Sequence, residues 1–217
     1  MSTPSLNVRR PMLRGWSHLM AAPIAVIGTI VLWRSTATVS GKVTATIFGA
    51  CLAGLYVASS TYHIPTWSSR VREILGRIDA TMIVLTIVGT FTPVAYHALD
   101  GGWRATSLTV AWVVAAIAIA VIVSPIRVPR WAHGVSAITI GWLAIVPFTQ
   151  IAGALPLAAS GLIMLGGVLY TLGAVVYITR RPDPAPRWFG YHEIFHLFVI
   201  AASVVHWLAI WRYVLPT

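Results

Sequence analysis

The sequence is poor in charged residues, and acidic residues and cysteine are scarcest. Only 9% of its 217 residues are charged and 58% are hydrophobic, whereas soluble domains carry about 25% charged residues. It contains five acidic residues and a single cysteine. Cys51 lies within an apolar run, which excludes an intrachain disulfide framework and favours a packing role. The composition therefore excludes an ordinary soluble domain and predicts an integral membrane protein.

The basic residues give the chain a formal net charge of +10. They form short clusters between apolar runs, with no basic groove and no nucleic-acid motif, so no nucleic-acid partner is expected. Eleven fall on one side of the predicted membrane: Arg9, Arg10, Arg14, Arg70, Arg72, Arg77, Arg127, Arg130, Arg180, Arg181 and Arg187. The other side receives Arg34, Lys42, Arg104 and Arg212. The positive-inside rule then predicts a cytoplasmic N-terminus.

Apolar runs recur along the chain, and about 20 helical residues suffice to cross a hydrocarbon core about 30 Å thick. A cytoplasmic tail of residues 1–14 is predicted to precede a transmembrane domain of residues 15–213. Seven spans are predicted, at about 15–33, 43–63, 78–97, 107–123, 134–151, 157–179 and 190–213. The first run has no convincing cleavage site, so it is interpreted as a span and not as a secretory signal. The predicted fold class is an all-α seven-transmembrane helix bundle.

The polar residues within these spans predict a metal site. His192 and His196 are four residues apart, so on a helix both imidazoles lie on one face, one turn apart, as two ligands of one ion require. His63 ends the second span and Asp79 begins the third, both on the predicted cytoplasmic side. An ionisable group at membrane depth costs about 2.5–3.5 kcal/mol and needs a partner. A divalent metal would be a partner common to all of them.

Three neutral imidazoles with one open position are typical of catalytic zinc, which brings the pKa of a bound water to about 7. Iron or manganese would accept the same ligands. Asp79 could hold the water and take its proton, while Ser59, one turn before His63, could donate to a developing oxyanion. Alternatively, Asp79 pairs with Arg77 or caps the third span. The Ser59 hydroxyl could instead bond back to its own helix.

Three further residues are candidates for the pocket. Glu193 lies about 100° around the helix from His192, so it can face a neighbouring helix and need not touch the metal. His206 lies about 15 Å beyond His196 along the helix, too deep to share the ion. A packing or polar contact near the bundle core is expected for it. His18, at the cytoplasmic end of the first span, is expected at the pocket mouth.

Together these residues resemble the hemolysin III family, which belongs with the progestin and adipoQ receptors and, more distantly, with the alkaline ceramidases. The motifs that carry the resemblance are Ser59 to His63, Arg77 to Asp79, Gly89 to Pro93, and His192 to His196 with His206. The resemblance covers about Trp16 to Trp207. At the start the chain departs from the pattern: it has Arg14 to His18 where such bacterial proteins carry acidic residues and an Asn before a Thr-His pair.

The resemblance implies a zinc near the cytoplasmic side, with His63, His192 and His196 as ligands and Asp79 on its water. It also implies a ceramidase-like hydrolase in the bacterial plasma membrane, acting on an amide or ester of a lipid-like substrate among the membrane lipids. A receptor or transporter in which the metal only joins helices remains open. An intramembrane zinc protease fits poorly, because Asp100 falls on the opposite membrane side. Bis-histidine haem also fits poorly, because its histidines would sit on facing helices.

Overall fold

The structure, a computed structural model, describes residues 11–126 and 128–215. This part of the chain folds into helices joined by short turns, with an isolated antiparallel bridge between Ala185 and Phe189. The helices are α1 (Trp16–Ser35), α2 (Val39–His63), α3 (Ser69–Ala98), α4 (Gly101–Val123), α5 (Arg130–Trp142), α6 (Phe148–Ala154), α7 (Leu157–Thr179) and α8 (Tyr191–Ala209). A 3₁₀ turn, Leu143–Ile145, follows α5, and a π-helical turn, Ile210–Val214, extends α8.

Six of these helices are long and apolar enough to cross a membrane, and the pair α5 and α6 makes a seventh if the two form one bent span. The two helices meet at an angle of 53°. Pro147 precedes α6 at this break, and a proline both lacks the amide hydrogen that would continue a helix and clashes with the preceding turn. The predicted all-α membrane bundle is therefore confirmed, with six or seven candidate spans. The bent pair α5 and α6 occupies the place of the predicted fifth span.

Several helices extend beyond the predicted spans, because polar caps start them outside the apolar run. The Thr38 hydroxyl accepts a hydrogen bond from the Gly41 amide at 3.0 Å and starts α2 at Val39. Ser68 caps α3, which begins at Ser69 and carries Asp79 well inside the helix. Such hydroxyl caps satisfy amide groups that the first helical turn leaves without partners.

The helices bury small and aliphatic side chains against one another and turn larger apolar side chains outward. Leu32, Phe48 and Ile210 are at most 1% exposed in the core. By contrast, Ile24 and Leu157 are 67% and 88% exposed. An apolar outer surface suits a protein whose solvent is the hydrocarbon core of a bilayer, where hydrophobic burial gives no advantage over contact with lipid.

Residues 1–10, Arg127 and the last two residues lie outside the described residues. Most of the predicted cytoplasmic tail, with Arg9 and Arg10, therefore lies outside them as well. The orientation of the bundle remains a prediction from the distribution of arginine and lysine.

Candidate metal centre

The centre forms where the end of α2 meets the start of α8. His63 is the last residue of α2, and His192 and His196 lie in the first turns of α8. The segment before α1 packs against His63 at Gly15. The φ of Gly15, +86°, is in the left-handed region. A Cβ on Gly15 would lie 2.9 Å from the His63 Cβ, so both the backbone conformation and the close approach favour glycine there.

The three imidazoles are buried together. His63, His192 and His196 are 7%, 8% and 1% exposed, and each contributes a ring nitrogen within 4.8 Å of the other two. The Nε2 atoms of His63 and His192 are 3.0 Å apart. The ring centroids of His192 and His196 are 4.6 Å apart, as expected for residues one helical turn apart. The triad predicted from the sequence is therefore assembled.

This arrangement fits a metal ion. Ligand nitrogens on a tetrahedral zinc lie about 3.3 Å apart, given Zn–N distances of about 2.0–2.1 Å. One pair of these nitrogens is 3.0 Å apart, and all three lie within 4.8 Å of one another. The His196 Nδ1 is buried without a hydrogen-bond partner among the described residues. A buried imidazole nitrogen without a partner is costly, and a cation would accept its lone pair. The buried triad could thus hold a metal ion.

Asp79 and Ser59 lie beside the triad. The Asp79 Oδ2 is 3.8 Å from the His63 Nε2, and the side chain of Ser59 lies close enough to the Asp79 carboxyl group to interact with it. Asp79 does not pair with Arg77, which instead donates to the Glu73 carboxylate at 2.9 Å and to the Val123 carbonyl at 2.6 Å. The carboxylate is thus next to a candidate ligand but outside the group of three nitrogens.

Glu193 faces away from the three imidazoles. Its Oε1 accepts a hydrogen bond from the Arg14 Nε at 3.0 Å, and its Oε2 accepts one from the Gly190 amide at 2.7 Å. An acidic side chain in the first helical turn also interacts favourably with the helix dipole. Glu193 therefore fixes the start of the helix that carries His192 and His196.

His18 contacts the triad, whereas His206 contacts α7 away from it. The ring of His18 stacks on that of His196, with centroids 3.8 Å apart and planes 9° apart. The His206 Nε2 lies 3.1 Å from the Ile163 carbonyl, so this nitrogen donates to α7. His206 does not belong to the cluster of candidate ligands. His18 supports a candidate ligand, whereas His206 joins α8 to α7.

A cavity of about 1250 Å³ adjoins the triad. It is lined mainly by aliphatic and aromatic side chains from α3, α5, α7 and α8, and it reaches as deep as His206 and Ile210. At the other end it reaches exposed residues at the start of α3, including Ser69 and Glu73. A pocket of this size with few polar groups at one end suits an amphiphilic molecule.

Comparison with known proteins agrees with this architecture. The family model described as haemolysin-III related matches residues 6–207. The chain belongs to that family. It is 28% identical to Hemolysin-3 of Bacillus cereus over 213 residues, covering 97% of this chain and 93% of the relative. It is 27% identical to the Hemolysin-3 homolog of Bacillus subtilis (strain 168) over 216 residues, covering 98% and 96%.

The family similarity extends to animal proteins. The adiponectin receptor protein of Drosophila melanogaster is 28% identical over 225 residues, covering 88% of this chain and 48% of the relative. The family resemblance inferred from separated motifs is therefore confirmed across most of the chain.

Sequence reasoning missed two contacts that shape the centre in this haemolysin-III-related chain. One is the ion pair between Arg14 and Glu193, and the other is the stacking of His18 on His196. A signal for the first existed, since Glu193 is the sole acidic residue of the last predicted span and a basic residue at that depth would be its natural partner. No sequence pattern predicted the stacking, because it depends on how α1 packs against α8.

Proposed function

We propose that this chain is a zinc-dependent hydrolase of the bacterial plasma membrane, which cleaves an amide or ester bond in a lipid-like substrate. The observation that carries the proposal is the buried triad of His63, His192 and His196 at the polar end of a long apolar cavity. Zinc is chosen because neutral imidazoles suit it and three protein ligands leave a position open. When bound, zinc would polarise a carbonyl and activate water near neutral pH.

The residues around the triad have complementary roles in this proposal. The Asp79 carboxylate, 3.8 Å from the His63 Nε2, orients the attacking water and accepts its proton. Ser59 is 2% exposed and lies beside Asp79. Its single O–H holds the carboxylate at first, and once Asp79 has taken the proton it can turn to the oxyanion that develops on the substrate. Both side chains border the cavity, where a substrate carbonyl would enter.

The cavity supports a substrate with an apolar tail. Its deep end is formed by side chains such as Val199, Ile151 and Ile210, whereas its polar end lies at the triad. An amphiphile from the surrounding membrane lipids would place its polar linkage beside Asp79 and its tail among these apolar side chains. Burial of the tail would contribute about 0.8 kcal/mol per CH₂ group.

A second candidate is a receptor or transporter in which the metal only joins α2 to α8. The name of the Drosophila relative, adiponectin receptor protein, favours this class. A structural site and a catalytic site differ in whether the open position accepts substrate. Turnover, and not metal content, distinguishes the two candidates.

The protease alternative is disfavoured by the positions of its acidic residues. Asp79, which lies beside the triad, is within α3, whereas Asp100 lies just beyond the C-terminal end of α3. The two are about 30 Å apart at about 1.5 Å per residue. Asp100 is also 96% exposed and pairs with Arg104 at 2.7 Å. Glu193, the acid of the His-Glu-x-x-His pattern, is held by Arg14 and Gly190. Neither acid is placed to act at the triad.

The test measures metal content and hydrolysis on the same purified protein in lipid nanodiscs. Wild-type protein should hold one zinc per chain and release fatty acid from an N-acyl lipid amide, and chelation should abolish release. His196→Ala should lose most of the zinc, whereas His206→Ala, outside the ligand cluster, should retain it. Asp79→Asn should keep the zinc but lower the hydrolysis rate by about 10²-fold or more.

Two outcomes would count against the hydrolase. Zinc bound at the triad with no product from any of a panel of amides and esters would favour the receptor or transporter. Hydrolysis that persists in both His196→Ala and Asp79→Asn would place the reaction elsewhere in the molecule.

A further inference from the structure

The end of the cavity beside the triad carries more basic than acidic side chains. Its charged lining consists of Arg14, Arg72, Arg77, Arg180, Glu73 and Asp79. Arg77 donates hydrogen bonds to the Glu73 carboxylate and the Val123 carbonyl. Arg72 stacks over the ring of Tyr62 at 5.6 Å. Glu73 therefore pairs with Arg77, and the other three arginines of this lining are Arg14, Arg72 and Arg180.

Arg14 is partly buried and fixed by a partner, and it is less exposed than Arg77, whose side chain is 36% exposed. The Arg14 side chain is 16% exposed, and its Nε donates to the Glu193 Oε1 at 3.0 Å. The preceding backbone is fixed as well, since the amides of Met12 and Leu13 donate to the carbonyls of Arg187 and Trp188 at 3.0 and 3.1 Å. A loop arginine that served only to orient the protein in the membrane would need neither this partial burial nor a fixed partner.

Among the described residues, the Arg14 guanidinium makes one side-chain hydrogen bond. A guanidinium carries five N–H groups in a planar fork, and the hydrogen bond to Glu193 uses the one on Nε. The remaining four belong to the two Nη atoms, the pair that can bind both oxygens of a carboxylate. Arg14 lines the same cavity as His63, His192 and His196, and its partner Glu193 directly follows His192 in the chain, so Arg14 lies close to the candidate metal centre.

Arg14 also lies between two cavities. The large cavity is lined in part by Arg14 and His63. A second cavity of about 360 Å³ contacts the same two residues and is otherwise lined by Pro11, Met12, Trp16, Ile64 and Thr66. A ligand whose tail fills the large cavity would therefore have its polar end beside Arg14 as it passes the triad.

We propose that Arg14 binds the carboxylate of an anionic amphiphile, and that the substrates are N-acyl amino acids. This inference rests on the proposed hydrolase function and specifies its substrate class. In an N-acyl amino acid the carboxylate is attached to the carbon next to the amide nitrogen, so the scissile bond and the anionic group are close enough to contact the triad and Arg14 together. A neutral lipid amide offers Arg14 no such group.

The reaction requires only water as co-reactant. Water adds to the acyl carbon, the carbon–nitrogen bond breaks, and the nitrogen takes a proton from the water. The products are a fatty acid and a free amino acid. The fatty acid keeps its tail in the large cavity, and the amino acid leaves on the side of Arg14.

The test compares binding of N-dodecanoylglycine with that of its neutral analogue N-dodecanoylglycinamide, in nanodiscs of zwitterionic lipid. Binding is measured with metal-loaded and with chelated protein, so that direct contact of the carboxylate with the metal is separated from contact with Arg14. Wild-type protein should prefer the acid about tenfold or more in both forms, since a charge-assisted hydrogen bond is lost with the amide. Arg14→Gln should bind the two compounds equally.

Two further variants serve as controls. Arg70→Gln removes an exposed arginine that does not line the cavity, so it should keep the wild-type preference. The double variant Arg14→Gln/Glu193→Gln replaces the ion pair with two amides, which avoids a buried unpaired carboxylate if Arg14→Gln alone folds poorly. It too should bind both compounds equally.

Equal binding of the two compounds by wild-type protein would overturn the inference, as would a preference for the acid that survives in both Arg14 variants. Tighter Arg14-dependent binding of dodecyl phosphate than of N-dodecanoylglycine would overturn the assignment of a carboxylate. Release of dodecanoate is scored separately. Arg14-dependent binding without release would contradict the hydrolase while supporting the carboxylate site.

Discussion

The ring of His18 lies flat against the ring of His196, with centroids 3.8 Å apart and planes inclined by 9°. His18 comes from α1 and is 2% exposed. Neither of its ring nitrogens makes a hydrogen bond of standard geometry among the described residues. The contact therefore depends on the faces of the two rings, and it restricts the orientation of a candidate metal ligand.

His18→Ala should weaken zinc binding by about tenfold. Loss of a residue that orients a metal ligand lowers metal affinity by about 10- to 100-fold, and this effect should lie at the lower end. His18→Phe should bind zinc almost as tightly as wild-type protein, because a phenyl ring preserves the stacking surface. Competition against a zinc-binding dye measures both affinities. If phenylalanine and alanine weaken binding equally, a ring nitrogen of His18 and not its stacking face supports the site.

Glu193→Ala should lower the free energy of unfolding by about 1–3 kcal/mol. It leaves Arg14 without its partner and the Gly190 amide without an acceptor, in a site where Glu193 is 2% exposed. The matched control is Glu73→Ala, which removes an ion pair to Arg77 from a carboxylate that is 66% exposed. Its cost should stay below about 1 kcal/mol. Unfolding in detergent measures both, and equal losses would show that the Glu193 pair has no special structural role.

Gly166→Ala should destabilise the protein by about 1–3 kcal/mol, because it overfills the contact between α7 and α8. The new Cβ would overlap the His206 ring at its Nε2. The adjacent Gly167→Ala should be nearly neutral, since no atom within 4 Å would meet its Cβ. Adding His206→Ala should recover part of the loss in Gly166→Ala. Thermal unfolding checks this series, and similar losses for both glycines would point to helix backbone effects instead of the His206 contact.

Much of this architecture could be predicted from local sequence. Apolar runs of membrane length define the crossings because each backbone polar group must find a partner within its own helix in lipid. The four-residue spacing of His192 and His196 was sufficient to place both rings on one face, since helix geometry relates them directly. His63 could be assigned to the same depth because it ends a predicted span on the same membrane side.

Other features of the fold could not be predicted from local sequence patterns. The bend between α5 and α6 has a proline signal at Pro147, but its angle depends on the neighbouring helices. Arg14 and Glu193 are far apart in the chain, and their pairing requires the start of α1 to meet the start of α8. The same holds for His18 and His196.

By itself, the sequence determined that this is a multi-pass helical membrane protein with three candidate metal-binding histidines, because length, polarity and helical spacing act within one segment. Only the tertiary structure decided that Glu193 faces Arg14, that His18 stacks on His196 and that one cavity joins the triad to the apolar interior. These features arise from packing between segments distant in sequence, and the orientation of one helix against another depends on side chains from both.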